Sequence, residues 1–236
     1  MPPKGVPPKT VRRKADRRAA LFKRRITAWF RRAARDLPWR RTRDPYAVIV
    51  SEFMLQQTQV QRVLDYYPRF LERYPTVEQL ARAKPAAVRE AWDGLGYYRR
   101  AANLHRLARV VVREYDGRLP TDAAVLRTLP GVGAYTAGAV ACFAYEQSEP
   151  TVDTNVARVL ARVFEGKRTA AKTGRGVKRL AALAARLQPK PGAAAWTFNQ
   201  AVMELGALVC VARNPKCGGC PARPVCRYTV KVRASA

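Results

Sequence analysis

Two carboxylates stand where a carboxylate is costly. Glu52 lies in the run Val48-Ile-Val-Ser-Glu-Phe-Met-Leu55, and Asp153 in Thr151-Val-Asp-Thr-Asn-Val156. An acid with apolar neighbours must be paired, cap a helix or do chemistry. For Asp153 a structural role is at hand, because an Asp ahead of Asn155-Val-Ala-Arg158 can serve as an N-cap. Glu52 has a weaker structural explanation. Just before Asp153 comes a glycine hairpin, Leu129-Pro-Gly-Val-Gly-Ala-Tyr-Thr136. Gly131 and Gly133 separate two stretches of helical period, so the chain can turn tightly and bring bare amides close to an anion such as a phosphate. The helix expected over residues 134–145 adds its positive end to that attraction. Taken alone, Gly-x-Gly also fits an ordinary turn between helices.

Four of the five cysteines form Cys210-x6-Cys217-x2-Cys220-x5-Cys226. Such density in a chain otherwise poor in cysteine points to metal binding rather than disulfides. Structural zinc usually takes two close pairs, whereas here one Cys-x-x-Cys is flanked by longer spacings. Four thiolates from one compact loop suit a cubane iron-sulfur cluster, with zinc as the other reading. Arg213, Lys216, Arg223 and Arg227 decorate the loop, as a cationic surface for phosphates or as a solvated face. Cys142 falls on an apolar helix face and reads as core.

These groups need positioning elements, and composition says what kind. The 236 residues are 48% hydrophobic, ample for a core, and 45 Lys and Arg against 17 Asp and Glu give +28. That balance calls for a polyanion, with nucleic acid first. A membrane is set aside, since no apolar run approaches the roughly 20 residues that span a bilayer. Residues 1–25 hold ten Lys or Arg against Asp16 alone and open on Met-Pro-Pro-Lys, which reads as a flexible basic arm. A transit peptide would be richer in Ser.

Beyond residue 15 almost every segment has helical period, so the fold class is all-α. Asp44-Pro45 opens a helix expected to run to Thr58, and Thr76-Val-Glu-Gln79 is a capping box. Breaks at Pro85, Gly94-Leu-Gly96 and Pro120 place helices near 86–93, 97–115 and 122–128, with others over 155–164, 177–187 and 193–209.

Together, Leu37-Pro-Trp-Arg40, Asp44-Pro-Tyr46, Ser51-Glu-Phe-Met-Leu-Gln-Gln-Thr-Gln-Val60, Gly94-Leu-Gly-Tyr-Tyr98, the hairpin through Gly138, Val152-Asp-Thr-Asn-Val156 and the cysteine loop resemble the MutY family of adenine DNA glycosylases, within the helix-hairpin-helix glycosylase superfamily. The likeness runs from about residue 26 to residue 227. It implies a two-lobed helical fold: a six-helix lobe over about 46–160, and a lobe from about 26–45 plus 165–227 carrying a [4Fe-4S] cluster on Cys210, Cys217, Cys220 and Cys226. Residues 228–236 are left as a short tail. The implied partner is double-stranded DNA with a mismatched or damaged pair, bent across the cleft with one nucleotide flipped out. The implied state is a monomer, cytoplasmic and nucleoid-associated in a prokaryote.

By that resemblance Glu52 donates a proton to N7 of adenine, and Asp153 stabilises the oxocarbenium character of the sugar. Gln57 and Tyr97 become wedges, though either residue type also fits a plain surface or core position. Trp39, Arg40, Leu55 and Glu204 line the base pocket. Gly131, Val132, Gly133, Tyr135 and Thr136 hold the DNA backbone. Tyr135 replaces the lysine with which endonuclease III-like members form a Schiff base, so a monofunctional enzyme is expected.

The sequence departs from the MutY pattern in three places. Tyr135 is found in T/G-mismatch thymine glycosylases where MutY more often has serine, which makes thymine or uracil opposite G the alternative substrate. Thr154 replaces the more usual glycine. The sequence ends at Ala236, whereas MutY proteins usually continue into a MutT-related domain that inspects 8-oxoguanine; adenine opposite plain G is therefore expected as a comparable substrate.

Overall fold

The computed structural model describes residues 9–171 and 173–229. The start of the predicted arm and the end of the predicted tail lie outside them. Among the described residues there are helices and turns and no strand. In chain order the helices are α1 (Lys9–Ala33), α2 (Pro45–Leu55), α3 (Val60–Arg73), α4 (Val77–Arg82), α5 (Pro85–Ala91), α6 (Arg99–Glu114), α7 (Ala123–Leu126), α8 (Ala134–Phe143), α9 (Thr154–Leu160, continued by a π turn, Ala161–Glu165), α10 (Gly174–Leu187) and α11 (Ala193–Leu208).

Short polar residues start several of them. Asp44 accepts from the amides of Tyr46 and Ala47, both at 3.1 Å, with Pro45 in the first helical position. Thr76 accepts from Gln79 at 3.3 Å, and Asp122 from Ala124 and Val125 at 2.7 and 3.0 Å. Each cap stabilises its helix by about 1 kcal/mol. The helix expected to reach Thr58 stops at Leu55, and Gln57 adopts φ +56°.

The chain divides into two compact units. Unit 2 comprises Arg35–Thr151 and Lys190–Trp196. Its centre is α2, buried without a break from Tyr46 to Met54, as befits a helix apolar all round. Against α2 packs α8, itself buried from Thr136 to Phe143. A Cβ on Gly138 would stand 2.8 Å from the Pro150 carbonyl oxygen, so only glycine admits that approach.

Unit 1 comprises Met1–Ala34, Val152–Pro189 and Thr197–Ala236. Residues 35–45, 152–160 and 190–196 thus lie outside the lobes predicted for them. The predicted arm is also corrected, because from Lys9 onward it is helix. Phe22 and Ile26 are fully buried, and Phe22 meets Phe164 and Phe198 edge to face at 5.2 and 6.4 Å. Two arginines of that segment hold the cysteine loop: Arg18 donates to the Val225 carbonyl at 3.2 Å and Arg25 to that of Pro221 at 2.8 Å. Charge density masked an amphipathic helix.

Candidate functional site

In unit 2 the candidate residues gather on α2 and the loops around it. Glu52 is 4% exposed, among Val50, Phe53 and Met54, and Ser51 donates its hydroxyl back to the Val48 carbonyl at 2.7 Å. A buried carboxyl in so apolar a helix is an expensive placement. Leu55 is half-buried one turn further on. Trp39 and Arg40 lie in the short 3-10 turn Pro38–Arg40, where Trp39 packs edge to face on Tyr67 at 5.5 Å. The Arg40 guanidinium donates to the Arg35 carbonyl at 3.0 Å.

Gln57 and Tyr97 are exposed, Tyr97 to 59%, and both have left-handed backbones, at φ +56° and +48°. For residues other than glycine such conformations each cost on the order of 1–3 kcal/mol, and they collect at functional sites.

The hairpin between α7 and α8 uses its two glycines differently. Gly131 has φ +78°, and a Cβ there would stand 2.7 Å from Asn103 Cβ and 3.0 Å from the Phe53 ring. Its backbone therefore rests directly on α6 and α2. Gly133 has an ordinary φ of −89° and nothing within 4 Å of a Cβ. It is the exposed N-cap of α8 and offers no capping side chain, which leaves bare backbone at the positive end of that helix. Tyr135 is half-buried in the first turn. The side chains of Val132 and Thr136 face the core at 8% and 3% exposure, which leaves their backbone for any contact outside, as a reading based on bare amides requires.

In unit 1 Asp153 caps α9, accepting from the Val156 amide at 2.6 Å, as its place before the helix indicated. Its second oxygen accepts from the Asn155 side-chain amide at 3.0 Å. Burial is the largest influence on this carboxyl and holds its pKa above the ordinary aspartate value, opposed by Val156, Asn155 and Arg158. The network continues: Arg158 donates to Asn155 Oδ1 at 2.6 Å, to the Gly206 carbonyl at 2.8 Å and to the Cys210 carbonyl at 2.8 Å. Gly206 is obligatory here, since a Cβ would stand 2.7 Å from Asn155. Glu204, on α11, is fully buried.

Cys210, Cys217, Cys220 and Cys226 are free thiols lining one small cavity together with Arg162, Val163 and Leu205. Arg162 is 2% exposed; it donates to Cys210 Sγ at 3.4 Å and to the carbonyls of Val211, Ala212 and Arg168 at 2.7, 2.9 and 2.9 Å. Among the described residues no three His, Cys, Asp or Glu side chains lie close enough to share one metal ion. The four thiols nevertheless face one cavity, a donor set whose chemistry fits an iron-sulfur cluster or a zinc ion. Burial pushes the Cys220 thiol up to about 11 and raises that of Cys210, so these groups are inert unless a bound metal displaces their protons. Cys142 is buried in α8.

The model of the HhH-GPD superfamily of base excision DNA repair proteins matches residues 50–186, more than half of the sequence. The chain belongs to that superfamily. Its HhH-GPD segment holds Glu52, both wedge candidates, the hairpin and Asp153, and ends before the cysteine loop. An adenine DNA glycosylase of Mycolicibacterium smegmatis is 50% identical over 197 residues, which are 83% of this chain and 66% of that protein. The chain thus spans just under two thirds of that relative. A thymine-DNA glycosylase of Aeropyrum pernix is 38% identical over 213 residues, 89% of this chain and 95% of the relative. The solved structure of a thermostable thymine-DNA glycosylase superposes with a TM-score of 0.83 at 32% identity, covering 92% of this chain and 99% of its own.

Sequence reasoning missed the guanidiniums that organise this HhH-GPD chain. Arg158 and Arg162 stand four apart, on one helical face, ahead of the cysteine loop. That spacing was the available signal, submerged among 45 basic residues.

Proposed function

We propose that this chain is a monofunctional adenine DNA glycosylase that removes adenine mispaired with G or 8-oxoguanine. The observation that carries the reading is Glu52, a deeply buried carboxyl on the central helix of unit 2, in a chain half identical to an adenine DNA glycosylase. Adenine leaves poorly as an anion, so a proton delivered to N7 by Glu52 lets it depart neutral as the bond to C1′ breaks. The ionised carboxylate of Asp153 stabilises the positive charge developing on the sugar. Water then adds at C1′ and loses a proton, leaving free adenine and an abasic site. Tyr135 has no amine to capture that sugar, so the strand stays intact.

Base extrusion costs a few kcal/mol, offset by phosphate contacts and by wedging side chains. In this reading Gln57 and Tyr97 are the wedges, and the uncapped start of α8 at Gly133 takes a backbone phosphate. Trp39, Arg40, Leu55 and Glu204 are assigned to the base. The four loop cysteines would hold a [4Fe-4S] cluster, which supplies a fixed charged core for the loop. Around it, Arg18, Arg25 and Arg162 hold the loop's carbonyls, while Arg213, Lys216 and Arg227 remain exposed toward phosphates.

A second reading, excision of thymine or uracil opposite G, is favoured by Tyr135 and by the near full-length likeness to the Aeropyrum protein. Chromatography of the base released from duplexes carrying A opposite 8-oxoguanine, A opposite G, T opposite G and U opposite G tests both. Adenine release supports the first reading; thymine or uracil release with adenine untouched replaces it with the second.

A further inference from the structure

Arg100 lies in the first turn of α6, where a cation opposes the positive end of its own helix. Arg100 is 7% exposed, and its guanidinium donates to backbone carbonyls. Nη1 donates to Phe53 at 3.0 Å, to Met54 at 2.7 Å and to Gln56. Nη2 donates to Leu95 at 3.2 Å and to Gly96 at 3.1 Å. The first set is the open C-terminal end of α2 and the second is the turn before α6. The guanidinium also stacks near Trp92 and Tyr97, at 5.5 and 5.4 Å from their ring centroids, and the Trp92 indole N–H donates to the Gly96 carbonyl at 3.3 Å.

The placement is specific in one further respect. Gln56 and Gly96, whose carbonyls Arg100 takes, immediately precede Gln57 and Tyr97, both exposed and both with left-handed backbones. A buried charge that opposes its helix dipole and holds the end of α2 and the turn before α6 through five carbonyls, beside two strained residues, is poorly explained as packing alone.

We propose that Arg100 is a positioning residue for base extrusion, clasping the two loops so that Gln57 and Tyr97 enter the duplex as one wedge of fixed spacing. The proposal rests on the reading of those two residues as wedges. Lysine, a point charge on a flexible stem, cannot replace the planar fork.

The test uses the full chain as purified and a duplex with 2-aminopurine at the target position opposite G, whose fluorescence rises when the base leaves the stack. Arg100→Lys is expected to lower extrusion per bound duplex by about tenfold while matched-duplex affinity changes by less than about twofold. Excision from a duplex whose target adenine lies opposite an abasic analogue, and is already unpaired, is expected to stay within about threefold of wild type. Adding Tyr97→Ala to Arg100→Lys should cost little more than either change alone. Wild-type extrusion by Arg100→Lys overturns the clasp, as does an equal loss on the unpaired substrate or full multiplication of the two losses. Wild-type extrusion by both Tyr97→Ala and Gln57→Ala overturns the wedge reading itself, and the clasp with it. If Arg100→Lys loses its helical far-ultraviolet signal, Gly96→Ala takes its place under the same criteria, because its Cβ meets nothing within 4 Å yet strains the +69° backbone beside Tyr97.

Discussion

The side-chain amide of Asn155 donates to Asp153 Oδ2 across 3.0 Å, fixing the orientation of a carboxylate whose other oxygen already caps α9. Burial nevertheless raises the Asp153 pKa. The ionised form is therefore less well accommodated in the folded chain than in the unfolded one. Its stability contribution is full below the unfolded pKa of about 3.9 and is lost as pH rises through the raised folded value. Asp153→Asn keeps an N-cap oxygen. We expect it to melt above wild type near neutral pH, with the advantage vanishing in acid, and to lose excision throughout. Thermal midpoints from about pH 4 to pH 8 check the sign.

The two hairpin glycines should separate by phenotype. Gly131→Ala meets Asn103 and Phe53 at φ +78°, and is expected to destabilise the fold by about 2–3 kcal/mol. Gly133→Ala has open space and an ordinary φ, so stability should change by less than about 0.5 kcal/mol. If α8 receives a phosphate there, Gly133→Ala weakens matched and mismatched duplexes alike, as fluorescence anisotropy at fixed salt would show.

Arg162→Met removes donors from Val211, Ala212 and Arg168 carbonyls and from Cys210 Sγ. Leaving buried carbonyls unsatisfied costs about 3 kcal/mol in total. The expected result is a lower thermal midpoint together with a several-fold loss of iron and acid-labile sulfide per chain. Full cluster content in this variant would show that the loop holds its shape without the guanidinium.

Helix starts were legible in the sequence because Asp44 and Thr76 act on amides two or three residues away. What escaped was decided at long range. The helix expected to reach Thr58 stops at Leu55, and Arg100, some 45 positions on, takes the carbonyls at its end. The predicted arm is helical from Lys9 because Phe22 meets Phe164 and Phe198. Both acids and all four loop cysteines were visible, since an acid in an apolar run and clustered thiols are anomalies of composition. Arg100, Arg158 and Arg162 were not, because +28 hides a structural guanidinium among solvated ones.

The most direct test of Glu52 as the proton donor is single-turnover adenine release by wild type, Glu52→Gln and Asp153→Asn on a duplex with A opposite 8-oxoguanine, alongside duplex affinity. Wild type should release adenine; Glu52→Gln should fall by about a thousandfold, and Asp153→Asn comparably, both binding the duplex as wild type does. Adenine release by Glu52→Gln at the wild-type rate would contradict the assignment.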